Sequence, residues 1–287
     1  MVFPTPARGT ASRGLLPLDA VPGFLVVNPR SGSDRPSAEE LVEEAARRGV
    51  AVHLLREGED AADLARAADA DALGMAGGDG SLAAVAAVAL ERNVPFVCVP
   101  FGTRNHFARD VGLDRDDPIA ALDAFGGDER RIDVGRVGDR IFLNNVSLGM
   151  YAKLVHQRER RRRRRELLAR LKALLASIRS WEPSRFTIDG RRVRARVLLV
   201  ANNDYALELL SLGEREQLDK GLLHLYVAHG IVRSTWEERE GERFTIDLRR
   251  LTVACAVDGE PERLPTSLEF TIEPRALRLL LPRAPGV

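Results

Sequence analysis

Lysine is nearly missing from this chain: only Lys153, Lys172 and Lys220 stand among 43 basic residues in a length of 287. A GxxxxGK[ST] loop needs a lysine beside its glycines, and none of the three lies in a glycine-rich turn, so a P-loop enzyme is excluded. The protein-kinase lysine signature is missing as well. Cysteine is equally scarce. Cys98 and Cys255 sit in the apolar runs PFVCVP and TVACAV without CxxC or Cys/His spacing, which speaks against a zinc site or a disulfide framework and for buried thiols in a reducing compartment. Neither charge is in excess: 43 basic against 42 acidic residues leave a net charge of +1, so no global field asks for a nucleic-acid partner. No uninterrupted apolar stretch is long enough to span a bilayer. The leader MVFPTPARGTASRG lacks the apolar core of a signal peptide and reads as a loose tail, so the expectation is a cytoplasmic, soluble globular protein.

What is present is alternation. FLVVN, VAVHLL, ALGMAGG and VPFVCVP are short apolar runs of strand type, separated by the helical patterns PSAEELVEEAARRG, DAADLARAA and SLAAVAAVALERN. Strands separated by helices predict a doubly wound, mostly parallel sheet in an α/β domain over residues 20–128. Beyond GGDERR the pattern changes. RIDVGRV, RIFLNNVSL, RFTIDG, RVRARVLLVAN, GLLHLYVAHG, RFTIDLRRLTVACAVDGE and LEFTIEP are strands with turn punctuation, which predicts a mainly antiparallel β-rich domain over 129–287, interrupted by one helix from Glu166 to Trp181.

Ligands of open α/β sheets gather at the carboxyl ends of the strands. Three successive strands end alike here, in NPRSG (Asn28 to Gly32), GGDGS (Gly77 to Ser81) and FGTRN (Phe101 to Asn105). Each supplies glycine, which lets backbone approach a ligand closely, and small hydroxyl or amide side chains at a helix start, the makings of a phosphate site. Any one of them alone would be an ordinary capped turn. Asp79 is out of place in such a loop, because a carboxylate repels phosphate unless a divalent cation bridges the two or the acid faces a proton on an attacking group. Either role implies phosphoryl transfer. The plainer alternative is a helix cap, a task that Ser81 could perform as well.

NPRSG, GGDGS and FGTRNHFARDVGL, in that order and spacing, followed by RRIDVGRV, FLNNVSLGMYA and a late VDGE, resemble the diacylglycerol kinase catalytic family of lipid kinases, which includes sphingosine kinases and bacterial lipid kinases. The GGDG element alone is shared with NAD kinases and phosphofructokinases. The resemblance implies an α/β domain followed by a β-sandwich, with ATP- and Mg2+-dependent transfer of the γ-phosphoryl group to a lipid hydroxyl in the cleft between them, diacylglycerol or a related lipid. It implies nucleotide contacts at Asn28, Ser31, Gly32, Gly77, Gly78, Gly80, Ser81, Gly102, Thr103 and Asn105, with Glu260 close to nucleotide or metal. Asp79 would act through Mg2+, with Asp133 and Asp219 as further metal-site acids, and Asp258 would be the general base on the acceptor hydroxyl. Read without the family, VDGE is an Asp-Gly hairpin turn and Asp133 an exposed strand residue.

The chain departs from the family's pattern at several points. Ala83 and Ala84 replace an Asn-Glu pair after the glycine loop, Arg104 and His106 stand where Gly and Asp are common, and LDKG, with Lys220, replaces an acidic DDG element. These departures keep open a nucleotide-binding regulatory module with little turnover; a NAD kinase-like enzyme is the other alternative. Arg158 and Arg160, Arg161, Arg162, Arg163, Arg164 and Arg165 precede a stripe of Leu167, Leu168, Leu171, Leu174, Leu175, Ile178 and Trp181, a pattern suited either to a helix packed on the β domain or to an anionic membrane surface. The second reading makes the protein peripheral to the inner face of the membrane. A homodimer is left open.

Overall fold

The computed structural model describes residues 22–31, 36–102, 105–149, 183–205, 215, 217–230 and 235–283. The predicted helix at 166–181 and the arginine run at 158–165 lie outside the described residues. In chain order, the first half contains β1 (Gly23–Val27), α1 (Ala38–Arg47), β2 (Ala51–Leu54), α2 (Ala61–Ala67), β3 (Ala72–Gly77), α3 (Asp79–Arg92), β4 (Phe96–Pro100), α4 (His106–Asp110) and α5 (Pro118–Ala121). The strands follow the apolar runs of the sequence. α1 begins where Ser37 accepts from the Glu40 amide while the Glu40 carboxylate takes the Ser37 amide, a reciprocal cap that satisfies two otherwise orphaned donors.

The second half is almost all strand: β5 (Asp128–Val137), β6 (Arg140–Phe142), β7 (Asn145–Gly149), β8 (Ser184–Ile188), β9 (Arg191–Ala195), β10 (Val197–Asn202), β11 (Leu223–Ala228), β12 (Trp236–Gly241), β13 (Arg243–Asp247), β14 (Thr252–Val257), β15 (Glu260–Pro265) and β16 (Leu268–Leu281). One sheet of ten strands runs β2-β1-β3-β4-β16-β13-β8-β9, with β5 on β16 and β6 on β5. Its β2-β1-β3-β4 portion is parallel, and because β2 and β3 lie on opposite sides of β1, the strand order switches there, the place at whose carboxyl ends open α/β sheets bind ligands. The other sheet, of six strands, runs β12-β11-β10-β7-β14-β15 and is antiparallel throughout.

The expected α/β half followed by an antiparallel sandwich is therefore what the chain forms, with one addition. β16 pairs with β13 over its first residues and then lies parallel to β4 at Leu279 and Leu280, so a single strand serves both halves. It crosses between them through a register shift, between its own Glu273 and Leu277, in its pairing with β5. One apolar core fills the α/β half and extends to Ile132 and Val134 of β5 and Leu277 and Leu279 of β16. A second, with Phe142, Phe186, Phe244 and Phe270 from the first sheet against Leu148, Leu198, Leu225 and Cys255 from the second, fills the sandwich. Both cysteines are buried and free, and burial pushes both thiols up, Cys255 to about 12, as expected of inert packing residues.

Candidate active site

The three strand ends meet. At the first, the Asn28 side chain accepts from the Arg30 amide at 3.1 Å and donates to Ser81 Oγ at 3.5 Å, so the turn containing Ser31 closes onto the start of α3. At the second, Gly77 ends β3 and Gly78 begins α3 without any side-chain cap. At the third, a Cβ on Gly102 would sit 2.6 Å from the Gly78 Cα, so the two loops touch backbone to backbone and only glycine allows it. Asn105, buried and left-handed (φ 48°), clasps its own loop by accepting from Gly102 N at 2.8 Å and donating to Gly102 O at 2.9 Å. Gly32 and Thr103 lie outside the described residues.

Asp79 is the first residue of α3, yet its carboxylate does not cap that helix. It reaches across to α4, accepting from Phe107 N at 2.9 Å (Oδ1) and His106 N at 3.2 Å (Oδ2). A third donor, Asn144 Nδ2, approaches Oδ1 at 3.4 Å. Each carboxylate oxygen has two acceptor positions. Among the described residues, Oδ1 uses both and Oδ2 one, which leaves a single acceptor position on Oδ2. Neither Asp79 nor Ser81 caps α3, whose N-cap is Gly78, and the acid thereby ties GGDGS to the loop after β4.

Asp258 is both a turn residue and a buried acid. With φ +47° at Asp258 and +86° at Gly259, the β14–β15 hairpin turns as an Asp-Gly pair should. The same geometry drives the carboxylate inward, where Oδ2 accepts from Leu143 N at 2.8 Å and Oδ1 from Asn144 N at 2.8 Å and Asn145 N at 3.0 Å. Burial pushes this carboxyl up to about 7, the three amides resist by favouring the charged form, and the Asp79 charge adds to the push. The next residue but one, Glu260, is exposed, and its side chain lies over Gly80, where a Cβ would meet its Cδ at 2.6 Å. The hairpin of the β half thus rests on the first turn of α3.

Asp133 is fully buried, contrary to the exposed strand position that its sequence suggests. β5 is covered on both faces at this point, so alternation does not report exposure there. Its carboxylate accepts from Arg275 N at 2.7 Å, Gly221 N at 2.6 Å and Asn203 Nδ2 at 3.1 Å, and so holds the LDKG turn and the irregular part of β16. Asp219, in that turn, pairs with Arg275 at 3.4 Å. Asp79, Asp133 and Asp219 do not converge on one point. Among the described residues, the one group of three with metal-ligand spacing is Asp204, His224 and Glu238, on the outer part of the six-stranded sheet.

Sequence reasoning missed the residues that connect the two acids. Asn144, in the FLNN segment, touches Asp79 through its side chain and Asp258 through its backbone. Its amide oxygen accepts from Arg215 Nη2 at 2.7 Å. Arg215 itself pairs with Asp110 at 2.7 Å, both side chains being fully buried. FLNN was visible as a motif; nothing in SLGEREQ marked Arg215. Tyr205 closes the group, taking a hydrogen bond from Asn145 Nδ2 at 3.3 Å, with its hydroxyl pushed by burial up to about 12.

Residues 22–137 match the family model described as the diacylglycerol kinase catalytic domain. A probable lipid kinase YegS-like of Chromohalobacter salexigens is 28% identical over 245 residues, covering 79% of this chain and 76% of that one. A diacylglycerol kinase of Bacillus subtilis is 34% identical over 84 residues, 28% of each chain. Among solved structures, a diacylglycerol kinase of Bacillus anthracis superposes with a TM-score of 0.65 at 18% identity, covering 91% of this chain and 96% of that one, a likeness of fold. The resemblance carried by the strand-end loops is thus met by sequence over residues 22–137 and by fold over most of the chain.

Proposed function

We propose that this protein is a lipid kinase that transfers the γ-phosphoryl group of ATP to a lipid hydroxyl, diacylglycerol or a related lipid. The observation that carries the reading is the meeting of two acids from different halves of the fold, Asp79 at the phosphate-type loops and Asp258 in the hairpin of the sandwich, with one residue, Asn144, bonded to both. The nucleotide phosphates would lie along the loops of Asn28, Ser31, Gly32, Gly77, Gly78, Gly80, Ser81, Gly102 and Thr103, with Asn105 keeping its loop closed. α3 has no side-chain cap at its N-terminus, and the partial positive charge of that end favours an anion.

Mg2+ would be held by the remaining position on Asp79 Oδ2, with the exposed Glu260, which overlies Gly80, as a second carboxylate, and when bound it would neutralise phosphate charge. That donor set fits a cation which keeps most of its water and takes only one or two protein carboxylates. Asp133 and Asp219 were the other expected metal acids; in our reading Asp133, taking N–H donors at both oxygens, serves to hold the LDKG turn.

The acceptor hydroxyl would lose its proton to Asp258 as the phosphoryl group moves. An alcohol holds its proton far above neutral pH, so it needs a placed base. Among the described residues, Asp258 retains one acceptor position on Oδ2 beyond its three amides, and a carboxyl near 7 is matched to a proton transfer at neutral pH. A lipid acceptor requires contact with a bilayer, and the arginines at 158–165 are our proposed contact with anionic headgroups.

The reading is tested by ATP consumption in the presence of diacylglycerol, sphingosine, an undecaprenol-type alcohol and NAD, with lipids in mixed micelles. We expect Mg2+-dependent turnover with at least one lipid alcohol. Turnover with NAD alone would make the protein a NAD kinase-like enzyme. Nucleotide binding without turnover on any acceptor would make it a regulatory module, the reading that Ala83, Ala84 and Lys220 favour.

A further inference from the structure

We infer that Arg215 is a positioning residue that fixes the two acids of the site relative to each other. A guanidinium only donates, in a rigid planar fork, so whatever it binds is oriented by it. Arg215 sends Nη2 to Asn144 Oδ1 at 2.7 Å, and Nη1 to the carbonyls of Leu143 at 2.7 Å and Asn202 at 3.0 Å. Its Nε donates to Asp110 Oδ2 at 2.7 Å, and its Cζ lies 5.3 Å from the Tyr205 ring centroid.

Because Asn144 must turn its oxygen to Arg215, its NH2 group faces Asp79, which can only accept. The carbonyl of Leu143 is pinned by the same guanidinium, and the peptide segment it belongs to supplies all three amides that hold Asp258. One side chain therefore sets the direction of the group touching Asp79 and the placement of the segment cradling Asp258. Asp110, at the end of α4, supplies the opposite charge that a fully buried cation needs, and the first amides of α4 are those that bind Asp79. Arg215, Asn144 and α4 close a ring through Asp79 and Asp110.

The effect on turnover rests on the proposed kinase reading; the effect on Asn144 does not. Arg215→Lys in the full-length chain keeps the charge but gathers its donors on one nitrogen, which cannot reach Asp110, Leu143 and Asn144 together. We expect turnover per folded molecule to fall about ten- to a hundredfold, as for a small misplacement of reacting groups, with the KM for ATP changed by less than about twofold. We also expect the Asn144 side-chain NH2 signals in 15N–1H spectra, protected from solvent exchange in the native protein, to lose that protection. Unchanged turnover with Asn144 still protected would overturn the inference. If Arg215→Lys does not fold, Asp110→Asn is read in its place, with losses in the same direction of about threefold to tenfold expected and no change in either readout again overturning it. A native protein that phosphorylates no lipid would refute the kinase reading alone and leave this inference to be decided by the Asn144 spectra.

Discussion

The corners that carry Asp79 and Asp258 are built in opposite ways. At the first, a parallel strand runs into a helix, the loop is closed by glycine against glycine, and the half-buried carboxylate takes the leading amides of a neighbouring helix. At the second, an antiparallel strand doubles back through two left-handed residues, and a carboxylate only 6% exposed takes three successive amides of a distant segment. The first corner leaves its acid partly exposed at the strand ends and suits a group that faces an ion. The second encloses its acid, moves its proton affinity to about 7 and suits a group that exchanges a proton. The difference is why two aspartates in one site need not share one role.

The largest effects are expected when each acid is neutralised in turn. Asp258→Asn should lose at least about a hundredfold in turnover while still binding Mg-nucleotide, and Asp79→Asn should weaken Mg-nucleotide binding as well. A carboxamide offers one acceptor oxygen to three amides at the second corner, so Asp258→Asn should also lose about 1–3 kcal/mol of stability, and rates must be compared per folded molecule. Near-normal lipid phosphorylation by Asp258→Asn would return that corner to a plain hairpin turn.

A smaller effect separates the glycines of the first corner. Gly102→Ala would drive a Cβ to 2.6 Å from Gly78, parting the two loops, and should weaken nucleotide binding about tenfold by calorimetry, as expected when loop geometry is disturbed by a few tenths of an ångström or more. Gly78 has no atom nearer than 3.9 Å to its own added Cβ, so Gly78→Val should fold normally and lose affinity only if phosphate fills that space. Unchanged affinity in both variants would make these loops ordinary turns. The smallest effect is expected where the corners touch. Glu260→Gln removes an exposed charge worth at most about 1 kcal/mol, so nucleotide affinity should change by about fivefold or less, and a larger change would place Glu260 among the principal ligands of the site.

The two corners were unequally legible in the sequence. The first could be read from composition, because close backbone approach forces glycine into the strand ends and three such ends in series are rare by accident. The second reads locally as a turn, and Asp258 became a candidate base only through the family, since nothing in VDGE says that its side chain turns inward. The link between them could not be read at all. Arg215 and Asn144 are 71 residues apart and Arg215 and Asp110 are 105 apart, and single polar contacts at such separations leave no periodic trace. Strand β16 was read as ending at Pro274, but the register shift that follows carries it on to Leu281, because an irregularity accommodates proline in a strand. β12 escaped notice for another reason: as an edge strand it carries Glu237, Glu238 and Glu240 where an interior strand would carry apolar residues.

The most direct test of the account is the pH dependence of lipid phosphorylation at saturating ATP and lipid. A base must be ionised to act, so the rate should be full above the Asp258 value, fall through a midpoint near pH 7 and drop tenfold for each further unit of acidity. The residual rate of Asp258→Asn should lack that midpoint. A native rate that stays level from pH 5 to pH 9, or the same midpoint in Asp258→Asn, would contradict the assignment of the proton to Asp258.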